Sequence, residues 1–280
     1  MISLRSPSPL CVVLLAATLL APSADAQDMT VRINGEAVTS PYDFVFADTP
    51  VGESASVVVI LRNESNQDLV FTEDPPVILG GGFPERFQVV QPALESGNRL
   101  SPNGSTAFRI DFVPTFRSAN VFTRAFIYTN AAATPFDLGV RGKATAPVLT
   151  VSLDGETVDE GTNLDFAPLA SGAIARYVFV VGNTGDAPLV FEGEPVVSMV
   201  GADAALFTIV QPALESGGVL SPNGSTAFSV RLAEPLSENR TLDATLVMET
   251  NDLSGDFAVT ISGDVVAGTA SSFGALKARF

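Results

Sequence analysis

Two nearly identical stretches lie in this chain, and their spacing constrains the fold more than any other feature. The first reads VQPALESGNRLSPNGSTAF from Val90, and the second reads VQPALESGGVLSPNGSTAF from Val210, 120 residues later. Only Asn98-Arg99 and Gly218-Val219 differ between the two stretches. Sparser identities continue at the same offset from Val31 onward, and a fixed internal period is the signature of a repeat architecture. The chain is therefore a tandem duplication.

The offset grows by one residue after the first stretch ends at Phe108. It then pairs Pro114 with Pro235 and Gly142 with Gly263. A one-residue insertion beside a proline marks a loop, because proline and loop tips tolerate such changes.

Apolar residues in each half alternate with polar residues. One such set in each copy is predicted to face the core, namely Phe108, Ile110 and Phe112 in the first and Phe228, Val230 and Leu232 in the second. The intervening residues, Ala107, Arg109 and Asp111 in the first copy and Ser229 and Arg231 in the second, are predicted to face outward. A period of two is typical of half-buried strands.

Further short runs rich in Val, Ile, Phe and Thr are separated by Gly, Pro, Asn and Asp. In the first copy these runs are 56–61, 69–71, 86–90, 121–129 and 136–141. About seven strands in each copy, with no convincing helix, predict an all-β protein. We expect two tandem immunoglobulin-like β-sandwiches after an N-terminal signal peptide.

The first 26 residues have the features of a secretory signal peptide. Arg5 supplies a positive charge, an apolar run extends from Leu10 to Ala17, and Ala24-Asp25-Ala26 has the small residues of a cleavage site. We therefore expect an exported protein that is periplasmic, at the cell surface or extracellular. No later apolar run is long enough for a transmembrane helix. The only cysteine, Cys11, lies within the signal, so the mature chain is expected to lack thiols.

The predicted domains follow from the signal and the repeat. They are a signal peptide at 1–26, a first repeat at 27–146, a second repeat at 147–266 and a C-terminal tail at 267–280. The tail is expected to be either a flexible end or a segment that docks on a partner.

The charge balance restricts the partners and the chemistry. The chain has 15 Lys and Arg against 31 Asp and Glu, a net charge of −16, and no His. An acidic surface repels nucleic acid and anionic membranes, so neither is expected as a partner. Without His or a mature Cys, the usual nucleophile triads and imidazole or thiolate metal sites are excluded. We expect a protein that is not an enzyme and binds no cofactor or metal.

Two acidic loops and four sequons are further candidate sites. The loops at 154–160 and 251–256 could hold calcium through oxygen ligands, but hairpin turns favour the same residues. Asn63, Asn103, Asn223 and Asn239 each begin an Asn-x-Ser/Thr sequon, which matters only in a cell that glycosylates exported proteins.

Turn chemistry explains only part of the duplicated stretch. Leu100 and Leu220 are predicted to enter the core, and the Ser-Pro-Asn-Gly sequence that follows each of them suits a turn. The segment before the turn has two explanations: recent sequence exchange between the repeats, or one surface used twice. The second explanation makes Gln91 and Gln211 candidate partner contacts.

Several short motifs resemble a known family. The strand end Val180-Val181-Gly182-Asn183-Thr184-Gly185, the hairpin Thr250-Asn251-Asp252 and the closing Leu138-Gly139-Val140-Arg141-Gly142 are similar to those of the Hydin-like, ASH-type immunoglobulin-like domain. In bacteria such repeats are often labelled choice-of-anchor D. The resemblance covers both repeats and implies a β-sandwich used as a scaffold or protein-binding module. It brings no catalytic residues.

One strand differs sharply between the repeats on its outward face. The first copy carries Phe122, Arg124, Phe126 and Tyr128, and the second carries Asp243, Thr245, Val247 and Glu249 at the matching positions. An exposed aromatic stripe typically marks a contact surface for another protein. The other interpretation is that the stripe packs against the second repeat or the linker, since large apolar groups are usually buried.

These patterns favour an exported, non-enzymatic protein with a structural or protein–protein interaction role, whose partner is a protein at the envelope or outside the cell. An adhesin or carbohydrate-binding module is an alternative, which the absence of Trp and the presence of only three Tyr disfavour. A more remote alternative is a glycosidase, which would need two carboxylates ~5 to 10 Å apart in a cleft.

Overall fold

The computed structural model describes residues 28–170, 176–232, 240–266 and 276–278, without the side chains of 166–170, 265–266 and 276–278. The predicted signal peptide lies outside the described residues. The first repeat contains β1 (Met29–Ile33), β2 (Glu36–Val38), β3 (Tyr42–Val45), β4 (Thr49–Pro50), β5 (Ala55–Asn63), β6 (Leu69–Val70), β7 (Val77–Gly80), β8 (Phe87–Val90), β9 (Arg99–Leu100), β10 (Ser105–Phe112), β11 (Ser118–Ile127) and β12 (Phe136–Thr145).

The described part of the second repeat also contains twelve strands. These are β13 (Leu149–Leu153), β14 (Glu156–Thr157), β15 (Asn163–Ala170), β16 (Arg176–Asn183), β17 (Leu189–Val190), β18 (Ser198–Val200), β19 (Phe207–Val210), β20 (Val219–Leu220), β21 (Ser225–Leu232), β22 (Arg240–Met248), β23 (Phe257–Val266) and β24 (Leu276–Ala278). Here β15 takes the place of β3 and β4 together, and β24 is additional. A short 3-10 helix precedes β8 at Pro84–Arg86 and β19 at Ala204–Leu206.

Each repeat is a sandwich of two sheets with the same strand order. The first repeat has the orders β2-β1-β5-β10-β8 and β3-β12-β11-β7, and β4 also pairs with β12. The second has β14-β13-β16-β21-β19 and β18-β22-β23-β15-β24. In the described ranges, no sheet mixes strands from the two repeats. The chain is therefore an all-β protein with two tandem immunoglobulin-like β-sandwiches, as the sequence predicts.

The cores consist of the side chains that alternate toward the inside of each sandwich. Phe108, Ile110 and Phe112 are buried on β10, and Phe228, Val230 and Leu232 are buried on β21. The Phe179 and Phe228 rings stack with centroids 4.9 Å apart across β16 and β21. Leu100 and Leu220 are buried as well, which confirms that the residue before the turn enters the core.

Two residues predicted to face outward are buried instead. Asp111 is 8% exposed, because Ser56 lies directly opposite it on β5 and donates a 2.6 Å hydrogen bond to its carboxylate. Arg109 also donates to this carboxylate, at 2.7 Å. Burial alone would raise the pKa of Asp111, but the hydrogen bonds from Arg109 and Ser56 hold that pKa below its ordinary value. Ser229 is buried at the matching register of the second repeat, where it pairs with Val178 and Val210.

The polypeptide between the repeats is buried and hydrogen-bonded. The Ala146 N–H donates to the Asp186 carboxylate at 3.0 Å, and the Asp186 N–H donates to the Ala146 carbonyl at 3.0 Å. Arg117 of the first repeat also donates to Asp186, at 2.9 Å, and Lys143 lies 3.5 Å from it. The Asp186 carboxylate of the second repeat therefore contacts both the linker backbone and two basic side chains of the first repeat.

The predicted tail contains a strand. Its residues 276–278 form β24, which pairs antiparallel with β15 and so adds a strand to the second repeat. The rest of the predicted tail lies outside the described residues.

Candidate functional site

The duplicated stretch is stabilised by its own polar side chains, beginning with Gln91 and Gln211. Gln91 Nε2 donates to the Val77 carbonyl at 2.9 Å, and the Val77 N–H donates to Gln91 Oε1 at 3.0 Å. Gln211 makes the same pair of hydrogen bonds with Val197, at 2.8 and 2.9 Å. Because Val77 begins β7 in one sheet and Gln91 follows β8 in the other, each glutamine joins the edges of the two sheets.

The rest of the segment is held in the same way. The Glu95 carboxylate accepts hydrogen bonds from the Ser101 N–H at 3.1 Å and from Ser101 Oγ at 2.8 Å. These hydrogen bonds, the one from Oγ first, lower the pKa of Glu95. Thr106 Oγ1 donates to the Ala93 carbonyl at 2.8 Å. In the second repeat, Glu215 with Ser221 and Thr226 with Ala213 repeat these contacts.

The two differing positions also have a structural reason. Asn98 and Gly218 both have a left-handed backbone, with φ of 50° and 71°, which asparagine and glycine adopt most readily. Arg99 donates to Asp68 at 2.5 Å, and the second repeat has Val219 and Pro188 at these two positions. Both members of the ion pair are therefore replaced together. The same internal contacts hold both stretches, including those of the two glutamines.

A buried asparagine anchors each copy of the stretch to β5 or β16. Asn63 is fully buried, and its Nδ2 donates to the carbonyls of Gln67, Leu100 and Ser101 at 2.7 to 3.2 Å. Asn183 makes the corresponding bond to Leu220 at 3.0 Å. Because Asn63 Nδ2 is enclosed in this way, the sequon at Asn63 is closed to a glycan in the folded chain.

Phe122, Arg124 and Phe126 share the outer face of β11, and Tyr128 directly follows this strand. The opposite face of the same strand is buried core, formed by Val121, Thr123, Ala125 and Ile127. Phe122 is 43% exposed, and Arg124, Phe126 and Tyr128 are half-buried. The rings of Phe126 and Tyr128 lie 6.5 Å apart. We call Phe122, Arg124, Phe126 and Tyr128 the aromatic face.

Glycines lie on both sides of Arg124, and one of them borders a trough. Gly80 on β7 and Gly139 on β12 lie on either side of Arg124 in the sheet register. The Phe126 ring lies against Gly80, since a Cβ at that glycine would be 3.6 Å from the ring. On the Phe122 side of Arg124, a trough of about 260 Å³ is lined by Phe122, Arg124, Gly139 and their neighbours.

The charged groups of the trough are already paired. Arg124 makes two parallel hydrogen bonds to Asp137, from Nε at 2.7 Å and from Nη2 at 2.8 Å. The hydrogen bonds to Asp137 raise the pKa of Arg124. Arg141 donates to Asp43 at 3.0 Å. Planar donors and carboxylates are thus fixed beside the exposed ring of Phe122.

The second repeat carries side chains at both glycine positions. Its residues at the two glycine positions are Val200 and Thr260, which face Thr245 from either side. Comparison of the two repeats in the sequence identified the stripe as a candidate contact surface. It did not identify the residues around the stripe, which are Gly80, Gly139, Asp43, Asp137 and Arg141. The replacement of Gly139 by Thr260 between the copies was the available signal.

The side-chain contacts seen for the aromatic face, Arg124 with Asp137 and Phe126 with Tyr128, lie within the first repeat. The glutamines Gln91 and Gln211 lie elsewhere, at the junction of the two sheets. The structure therefore does not bring the six predicted contact residues into one site.

Neither a metal site nor a membrane-spanning helix is found among the described residues. Asp252 in the second acidic loop accepts hydrogen bonds from the Leu149 N–H at 2.6 Å and the Ser254 N–H at 2.8 Å, so its carboxylate is engaged by the fold. Within the described ranges, no three His, Cys, Asp or Glu residues are grouped so that they could hold a metal ion. The same ranges contain no helix that is long and apolar enough to span a membrane.

No protein-family model matches the chain, and no curated protein sequence matches it. Among solved structures, the chain is similar to the ASH/PapD-like domain 7 of human CEP192, with 15% identity over 49% of this chain and 97% of that one, at a TM-score of 0.27. It is also similar to human protocadherin-24 EC1-2, with 12% identity over 85% and 99% of the two chains and a TM-score of 0.35. The Pseudomonas aeruginosa CupB2 chaperone has 14% identity over 80% and 98%, at a TM-score of 0.27. These neighbours are ASH/PapD-like, cadherin and chaperone structures, and the Hydin-like, choice-of-anchor D assignment stays a prediction.

Proposed function

We propose that the chain is an exported, non-enzymatic interaction protein that binds a protein partner through the aromatic face of its first repeat. The observation that carries the proposal is the concave trough beside Phe122, whose ring is 43% exposed. Phe122, Gly80 and Gly139 are all replaced at the matching positions of the second repeat. The partner is expected at the envelope or outside the cell.

The chemistry of the trough suits a protein partner. Residues that contribute most of the binding energy at protein interfaces are enriched in aromatic side chains and Arg. Arg124 and Arg141 are held by Asp137 and Asp43, so little conformational entropy remains to be lost when a partner covers them. A partner side chain can enter the trough beside Phe122, and backbone groups of the partner can hydrogen-bond at the charged rim.

The test is capture of a partner from envelope and culture fractions by the immobilised protein. The Phe122→Ser/Phe126→Ser variant is expected to lose the partner that the wild type captures. The matched control is Asp243→Ser/Val247→Ser, which changes the same positions of the second repeat. Both variants are first compared with the wild type by urea unfolding, so that only folded proteins are used.

The captured partner is then identified by mass spectrometry, purified and titrated against the same three proteins. Equal affinity of the wild type and Phe122→Ser/Phe126→Ser for this partner would overturn the proposal. A loss with Asp243→Ser/Val247→Ser instead would assign the contact to the second repeat.

A further inference from the structure

The two repeats differ in what covers one edge of a sheet. In the second repeat β15 lies between β23 and β24, and β24 pairs antiparallel with the register Leu164 to Ala278, Asp165 to Lys277 and Phe166 to Leu276. In the first repeat β3 holds the place of β15, and β12 pairs with one of its sides. No described strand pairs with the other side of β3.

The side of β3 that points away from β12 exposes backbone N–H and C=O groups. The Phe46 N–H, just after β3, donates to the Arg141 carbonyl on β12 at 2.8 Å. Because backbone groups point alternately to the two sides of a strand, Asp43 and Val45 direct their N–H and C=O groups away from β12. Val45 is 62% exposed. Such an edge is a template for another strand.

We infer that β3 accepts β24 of a second copy of this chain. The second repeat already contains the pairing, and Phe46 and Phe166 occupy the same position in the two edge strands. Applied to β3, the register of β15 and β24 places Val45 opposite Lys277 and Phe44 opposite Ala278.

The sequence of the donated segment fits this edge. Residues 276–280 read Leu-Lys-Ala-Arg-Phe, so apolar residues alternate with basic ones in a chain that is otherwise acidic. Residues directly opposite on antiparallel strands share one face of the sheet, and opposite charges there are stabilising. In the β15–β24 register, Lys277 would lie on the outer face, opposite Val45 and diagonal to Asp43. The inference names the backbone edge of β3 instead of the aromatic face and does not depend on that proposal; Asp43 belongs to β3 and also lines the trough.

The contact is heterologous, because one copy donates β24 and the other accepts it at β3. Repeated contacts of this kind give open head-to-tail chains when the rotation between copies does not close a ring. Pairing of β24 with β15 of its own chain competes, so the intermolecular form is favoured as protein concentration rises.

Disulfide trapping between two differently tagged full-length chains tests the inference. Both carry Cys11→Ser, and one also carries Val45→Cys while the other carries Lys277→Cys. Opposite residues that exchange backbone hydrogen bonds have Cα atoms ~5.5 Å apart, within the range of a disulfide. We expect a mixed disulfide in high yield on mild oxidation. The control replaces Lys277→Cys by Ala278→Cys, which the register places on the other face.

Excess peptide of residues 274–280 is expected to reduce the yield at least several-fold, and a scrambled peptide of the same composition is expected to leave it unchanged. Equal yields from Lys277→Cys and Ala278→Cys would overturn the inference, as would a yield insensitive to the peptide. Phe122→Ser/Phe126→Ser leaves the β3 edge intact, so its effect on partner capture and the outcome of trapping are separate results.

Discussion

Gln91 pairs with the backbone of Val77 as another strand would, through one donated and one accepted hydrogen bond. The side chain of Gln91 thereby closes the gap between two sheets at a point where the backbone cannot. Val77 is buried, so its N–H and C=O have no access to water when the partner is removed.

Gln91→Met is therefore expected to destabilise the first repeat. Met has a similar volume but can neither donate nor accept these hydrogen bonds, and an unsatisfied buried polar group costs about 1–3 kcal/mol. Urea unfolding measures the change, and Gln88→Met at an exposed position of β8 is the control. A loss no larger than that of Gln88→Met would contradict the structural role.

Asp186→Ala is expected to loosen the linker between the repeats. The substitution removes the acceptor of the Ala146 N–H and the partner of Arg117, and a net loss of about 1 kcal/mol makes opening of the linker roughly fivefold more frequent. Limited proteolysis at residues 146–148 measures opening. Asp68→Ala removes the ion pair with Arg99 within the first repeat and should leave cleavage at the linker unchanged.

The same carboxylate predicts acid sensitivity at the linker. Burial would raise the pKa of Asp186, but the hydrogen bonds from the Ala146 N–H and Arg117 outweigh burial and lower it. Stability from Asp186 is therefore present above its unfolded-state pKa, about 3.9, and is lost as the pH falls through the lower folded value. Proteolytic cleavage at residues 146–148 should therefore increase in the wild type as the pH falls through the folded-state pKa of Asp186. Cleavage of Asp186→Ala should change less over the same pH range.

Tyr177 is expected to lose its proton at a higher pH than an ordinary tyrosine. Burial first, and the charge of Asp154 second, raise the pKa of Tyr177 from 10.0 to about 12. The fold thus favours the neutral phenol, and this contribution is complete below pH 10 and is lost as the pH rises toward 12. Tyrosinate absorbance against pH should show a late component that is absent from Tyr177→Phe. An unchanged titration curve in Tyr177→Phe would contradict the assignment.

Gly139→Thr is expected to fill the trough while preserving the fold. A Cβ at this position would lie 2.0 Å from Asp43 Oδ1, so the flexible carboxylate must move and its contact with Arg141 is lost. The second repeat tolerates Thr260 at the same place, which predicts a stability change below about 1 kcal/mol. Partner capture should fall at least tenfold. The reverse change Thr260→Gly is the control, and full capture by Gly139→Thr would argue against binding in the trough.

The strands were predictable because their alternation is local. Phe108, Ile110 and Phe112 differ from their neighbours in polarity, and the period of two is visible in the sequence itself. The stripe on β11 was found in the same way, by comparing one strand with its duplicate.

The features that the sequence did not predict depend on the register between strands that are far apart along the chain. Asp111 is buried because Ser56 lies opposite it, and Gly80 meets Arg124 only because β7 pairs with β11 at one register. Gln91 reaches Val77 across the edge of the sandwich. No local pattern encodes these partners, so the trough and the glutamine pairs required the folded chain.

β3 pairs with β12 in parallel, and this pairing has a mechanical consequence. These are the first and last strands of their sheet along the chain, and β4 continues the pairing with β12. Tension applied between β3 and β12 would slide these parallel strands past each other, loading their hydrogen bonds together in shear instead of unzipping them in turn. β15 and β23 repeat the geometry. Each repeat would therefore resist such tension until a whole ladder of hydrogen bonds ruptures.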